Sequence, residues 1–238
     1  MSERYLVVGN DYINFSDNEK VFTLSVFYEQ LAKSKTWLSR GEQVLLGQGI
    51  NCQDVAALRN VLKSRGCQLE GFSEDPVATE ITHKCSDDHL LIANLQKLDD
   101  QKYQFSVLVN DKCDRLCDHV TGCHVSGMIM MEAARQASIA ALELSFGKSS
   151  DVNYSIMLDK FETDFYGFMF PISALLTVSA SRDENSEVNK FGVATNVTIS
   201  QCDKLICTLK LSGKMLKKQL FKKLEGRGAV HSLKHLAV

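Results

Sequence analysis

The chain has 238 residues, a formal net charge of −2 and 45% hydrophobic residues, enough for one medium domain with an appendage or for two small domains. A slightly acidic chain without a recognised nucleic-acid motif argues against nucleic acid as a partner. There is no apolar run of about 18 residues, and the N-terminal MSERYLVVGNDY carries charge where a secretory leader would be basic and then apolar, so a cytoplasmic location is expected.

Tyr5 to Gly9 (YLVVG) is a short β-branched run, predicting a strand. VFTLSVFYEQLAKS has helical apolar spacing, and EQVLLGQGI predicts a second strand. NCQDVAALRNVLKSRG opens on Asn51 as a helix cap and carries Val55, Leu58, Val61 and Leu62 on one face. The alternation predicts a small α/β unit over residues 1–75. It lacks GxGxxG and GxxxxGK[ST]; its Gly47–Gly49 turn is only a weak phosphate-loop signal, and a docking or dimerisation role is expected instead.

SEDP at 73–76 breaks the pattern. DHLLIANLQKL and KYQFSVLVND predict paired strands, and a long apolar helix is predicted from Gly127 to about Ser145, ending at Gly147. Three or four strands are predicted to follow, in runs beginning at Tyr154, Ile172, Lys190 and Lys204. Two strands, a helix apolar on nearly every side and then an antiparallel run predict an α+β domain over residues 79–216, with a curled sheet wrapping one central helix. The helix needs more cover than one sheet supplies, which predicts a homodimer.

Residues 217–238 form a basic tail: from Lys214 onward seven Lys/Arg face one Glu, leaving about −8 on the remainder. Leu216, Leu220 and Leu224 lie at four-residue spacing among lysines. The leading expectation is a solvated helical cap, with contact to an anionic membrane or an acidic carrier protein as the weaker readings.

The chemistry concentrates in CDHVTGCHVSGMIMMEAARQA, residues 117–137. On a helix Glu132, Arg135 and Gln136 share one face. A carboxylate and a guanidinium in apolar surroundings either form a buried pair that orients the helix, or line an active site in which the Glu orients or deprotonates a hydroxyl and the Arg holds an anion. Ahead of them lie Asp118, His119, Gly122, His124 and Gly127; glycines at a helix start expose N–H groups to a carbonyl oxygen, and a neighbouring histidine can act as acid or base. Cys113, Cys117, His119, Cys123 and His124 are enough soft ligands for zinc, but their spacing matches no zinc motif, and no metal is expected. The eight cysteines are expected reduced and mostly buried.

The run HVSGMIMMEAARQA resembles the H-V-P-G-M-x-x-L-E-A-A-R-Q-A signature of the A-factor biosynthesis hotdog family, the γ-butyrolactone signal synthases. More distantly it is similar to the β-hydroxyacyl-carrier-protein dehydratases. The resemblance implies a hotdog fold and transfer of an acyl group from an acyl carrier protein or acyl-CoA to a small hydroxyl acceptor, with no cofactor. Dehydration, thioester hydrolysis and non-catalytic acyl or carrier-protein binding are the alternatives. Glu132 and Arg135 match the functional pair, Gln136 the adjoining amide, and Gly127 and Met128 the helix start. His124 fits the histidine position by spacing, and Asp118–His119 by the local Asp-His pair, so both histidines stay open. Thr121 or Ser126 replaces the motif proline, and one hotdog repeat is found where the synthases carry two.

Overall fold

Two sheets organise the chain in the computed structural model, which describes residues 3–34, 36–71, 75–109, 111, 121–147, 153–183 and 189–235. The first comprises β1 (Arg4–Val8), β2 (Val21–Thr23), β3 (Gln43–Leu46) and β4 (Gln68–Glu70), all parallel in the order β2-β1-β3-β4. Helices α1 (Leu24–Lys33) and α2 (Cys52–Ser64) connect them. The expected helix from Val21 is shortened, because Val21–Thr23 pairs with β1 and Thr23 caps α1 by accepting from Val26 N. Asn51 caps α2 as its sequence position predicts, accepting from Asp54 N. Val7, Phe27, Val44, Leu58 and Leu62 close this unit's own core.

The second sheet is wholly antiparallel: β5 (Ile92–Asp99), β6 (Lys102–Val107), β7 (Tyr154–Phe165), β8 (Leu175–Arg182), β9 (Lys190–Gln201) and β10 (Lys204–Lys217), in the order β5-β6-β8-β9-β10-β7. A short α3 (Thr79–Thr82) precedes it, and the central α4 (Gly127–Leu142) packs on its concave face against β8, β9 and β10. Ser126 caps α4 by accepting from Met128 N at 3.2 Å, and the helix runs on into a π turn at Glu143–Gly147. Ala133, Ala134, Ala137, Ala140 and Ala141 are buried, and these small residues let the helix lie close to the sheet. A buried polar bond, Thr195 Oγ1 to Ser138 Oγ at 2.8 Å, ties β9 to α4 within that core.

Gln48 joins the two sheets. Its buried side chain donates to Val107 O at 2.8 Å and accepts from Val109 N at 2.8 Å, while its own N–H donates to Pro171 O. The Gly47–Gly49 turn is therefore a seam between the units rather than a phosphate loop. Gly9 must lack a side chain, because a Cβ there would fall 2.0 Å from Gly49 O.

The basic tail forms α5 (Lys218–His235), exposed over most of its length. Among the described residues no helix is long and apolar enough to cross a membrane.

Candidate functional site

The pair picked out by spacing forms on α4. Arg135 Nε and Nη2 donate to the two oxygens of Glu132 at 2.7 and 2.8 Å, a bidentate fork. Gln136 Nε2 donates to Glu132 Oε1 at 3.0 Å, and Lys84, on the loop after α3, forms an ion pair with the same oxygen. The three charged side chains retain 16% (Glu132), 29% (Arg135) and 20% (Lys84) of their exposure. Burial pushes the Glu132 carboxyl up, but hydrogen bonds from Arg135, Lys84 and Gln136 and the arginine charge outweigh it and draw the group down to about 2. A carboxylate held this way is a weak proton acceptor at neutral pH; its capacity is to orient a donor. The cluster of two cations and one anion keeps one net positive charge, suited to a phosphate or a developing oxyanion.

Gln136 is fully buried and its amide is occupied. Besides Glu132, it donates to His89 O at 2.9 Å and accepts from Leu91 N at 2.9 Å, tying α4 to the chain entering β5. A second tie runs from His83 Nε2 to Glu143 at 3.1 Å. The segment carrying Lys84 is thus held along the helix.

Beside the pair, Met128, Met131, Leu158 and Phe161 line an apolar groove of about 210 Å³ whose polar members are Glu132 and Arg135. It lies between the first two turns of α4 and the inner face of β7, the edge strand. Gly127 lets the Phe165 ring lie across the helix start, since a Cβ would meet it at 3.2 Å. Thr163, between Phe161 and Phe165 on the same strand face, buries its Oγ1 with no hydrogen-bond partner among the described residues. Met130 points into the core, whereas Met128 is 56% exposed.

His124 lies outside the groove lining. Its ring packs on Phe168 with centroids 4.6 Å apart, and its Nδ1 shares a 3.0 Å hydrogen bond with Thr121 Oγ1. Gly122, with φ +74°, makes the turn between Thr121 and His124. Asp118 and His119, like Cys113 and Cys117, lie outside the described residues. Among the described residues no group of three His, Cys, Asp or Glu side chains could hold a metal. Cys67 and Cys207 are buried, and burial raises the Cys207 thiol to about 11. Cys52, Cys85 and Cys202 are exposed, so burial does not account for most of the described thiols.

Sequence reasoning missed Lys84, which no local pattern connects to α4. Tyr166 and Phe168 are exposed just past the end of β7.

Among solved structures, the chain is similar to a mutant thioesterase from Pseudomonas aeruginosa, at 13% identity over 53% of this chain and 81% of that one, with a TM-score of 0.41. It is also similar to a hypothetical thioesterase with coenzyme A from Streptococcus pneumoniae, at 11% identity over 59% and 98%, TM-score 0.41. No curated protein matches the sequence. The model of the A-factor biosynthesis hotdog domain matches residues 72–217, more than half of the chain and all of its antiparallel sheet and central helix, and the protein belongs to that family.

Proposed function

We propose that the protein transfers an acyl group from a carrier-protein or CoA thioester to a small hydroxyl acceptor. The observation that carries this reading is the joining of an apolar groove to a net-positive Glu132–Arg135–Lys84 cluster: the groove fits an acyl chain, the cluster an anionic acceptor or the oxyanion of a tetrahedral intermediate. In the reaction the acceptor oxygen bonds to the thioester carbonyl carbon, the C–S bond breaks, and the hydroxyl proton is handed on to the departing thiolate. Arg135 stabilises the negative charge, Glu132 orients the acceptor, and a loop histidine, His124 or His119, takes the proton, a division that follows from the weak basicity of Glu132. Gly127 and Met128 border the acyl chain, Gln136 holds Glu132 in place, and Asp118 and Gly122 stand beside the two histidines in sequence.

The reading includes a homodimer. β7 is a 12-residue edge strand, and Phe165, Tyr166, Phe168 and Met128 expose apolar surface beside it. A second copy set against this edge covers that surface and roofs the groove.

The test is intact-mass spectrometry of an acyl-loaded carrier protein incubated with the protein, with and without dihydroxyacetone phosphate, beside Glu132→Ala. Loss of the acyl mass that needs both the acceptor and Glu132 supports transfer. Acceptor-independent loss of the acyl group replaces transfer with hydrolysis, and loss of one water mass replaces it with dehydration. Stoichiometric binding with an unchanged acyl mass overturns the enzyme reading in favour of a carrier-protein-binding role.

A further inference from the structure

The α/β unit lies largely outside the matched family region, and its place in the fold gives it a task. Parallel α/β sheets take ligands where the strand order reverses, beyond the carboxyl ends of the strands. In the order β2-β1-β3-β4 that point falls between β1 and β3, at the turns beginning with Gly9 and Gly47. The crevice is filled by the chain itself: Gly9 packs on Gly49, Gln48 is bonded to Val107 and Val109, and Gly49 N donates to Val109 O at 2.8 Å.

The loop that follows β1 then reaches the histidine turn. Asn14 Nδ2 donates to Thr121 O at 2.9 Å and Phe15 N to Gly122 O at 2.8 Å, while the Phe15 ring stacks on Phe170 at 5.7 Å. The loop is itself braced, because Asn10 Oδ1 accepts from Ser25 N at the start of α1. On the far side of the turn, Thr121 Oγ1 accepts from the N–H groups of Cys123 and His124 and bonds to His124 Nδ1, and Val125 N donates to Met169 O. The imidazole is thereby set between Thr121 and Phe168.

We propose that the N-terminal α/β unit is a positioning domain for His124, acting through Asn14 and Phe15 on the Thr121–Gly122 turn, with Thr121 as the residue that fixes the imidazole's orientation and tautomer. The unit's ligand is the hotdog domain of its own chain. The inference rests on the reading of His124 as a site residue, and its test separates the two.

Full-length protein labelled with ¹⁵N-histidine is compared by long-range ¹H–¹⁵N correlation as wild type, Thr121→Ser, Thr121→Val and Asn14→Ala. Asn14 and Thr121 are exposed, so these substitutions leave the two cores intact. Wild type and Thr121→Ser are expected to show one His124 tautomer. In Thr121→Val and Asn14→Ala the Nδ1 and Nε2 signals are expected to converge as the tautomers exchange, with kcat for acyl transfer falling about tenfold at little-changed KM. His124 signals in Asn14→Ala and Thr121→Val that coincide with wild type overturn the proposal. Converged signals with unaltered turnover uphold the positioning and remove His124 from the reaction.

Discussion

Lys84 shares the Glu132 carboxylate with Arg135, so the pair marked by helical spacing is a triad whose third member comes from the loop after α3. Removing one cation leaves a partly buried carboxylate with one guanidinium and an amide. Lys84→Met is expected to lower stability by about 1–2 kcal/mol. Urea unfolding should show a lower midpoint at an unchanged slope; a midpoint equal to wild type would mean that solvent already satisfies Glu132.

The depressed Glu132 carboxyl makes stability depend on acid. Its folded value near 2 lies below the ordinary value of 4.5, so the stabilisation is complete above about pH 5 and is lost as pH falls toward 2. The difference corresponds to roughly 3 kcal/mol. Urea midpoints measured from pH 7 down to pH 3 should fall more steeply for wild type than for Glu132→Gln, which has no proton to take up there. Parallel curves would show that other carboxylates set the acid limit.

Gln136 offers a sharper stability test because it is fully buried and its amide bonds three partners. Gln136→Leu keeps the volume but strips Leu91 N and His89 O of their partner. A loss of about 3 kcal/mol is expected, read as a fall in thermal midpoint. Gln136→Glu keeps an acceptor for Leu91 N but sets a second buried carboxylate against Glu132 and the His89 carbonyl, and should destabilise at least as much.

How much of this was readable in advance depended on whether each contact was local. The central helix and its Glu132, Arg135 and Gln136 face followed from a period of 3.6 residues and a motif confined to one segment. Lys84 carried no such signal, since its pairing exists only once α3 is laid along α4. Val21–Thr23 read as the start of a helix because three residues are too few to display a strand period, and what makes them a strand is their pairing with β1. Gln48 sat in a glycine-flanked turn that mimics a phosphate loop, and only the fold shows its side chain taking the place of a strand residue between Val107 and Val109. Tyr166 and Phe168 follow a strand-like run without a break in pattern, yet they are exposed because they lie past the end of an edge strand.

The Gln48 seam carries its own prediction. Gln48→Ala leaves Val107 O and Val109 N unpaired at a buried position, which should cost about 2–3 kcal/mol. The loss falls on the junction between the α/β unit's own core and the main core, which Val8 and Tyr12 of that unit also enter, so the two units should unfold at separate midpoints where the wild type unfolds in one transition. A single shifted transition would show that the two cores remain coupled without the glutamine.

The groove predicts a dependence on acyl chain length. Met131 is half-buried, lines the groove beside Glu132 and Arg135, and packs against the main core without belonging to it. Met131→Trp narrows the groove of about 210 Å³ with a bulky ring while leaving the charged cluster in place. Because each buried methylene of a bound chain is worth about 0.8 kcal/mol, long acyl groups should lose far more than short ones. The expected outcome is a kcat/KM for a long-chain thioester reduced by roughly a hundredfold, against a change within a few-fold for an acetyl or butyryl thioester. Equal losses across the series would mean that the tryptophan disturbs the Glu132–Arg135 pair itself. Unchanged rates for long chains would place the acyl group elsewhere and leave the groove as contact surface for the second protomer.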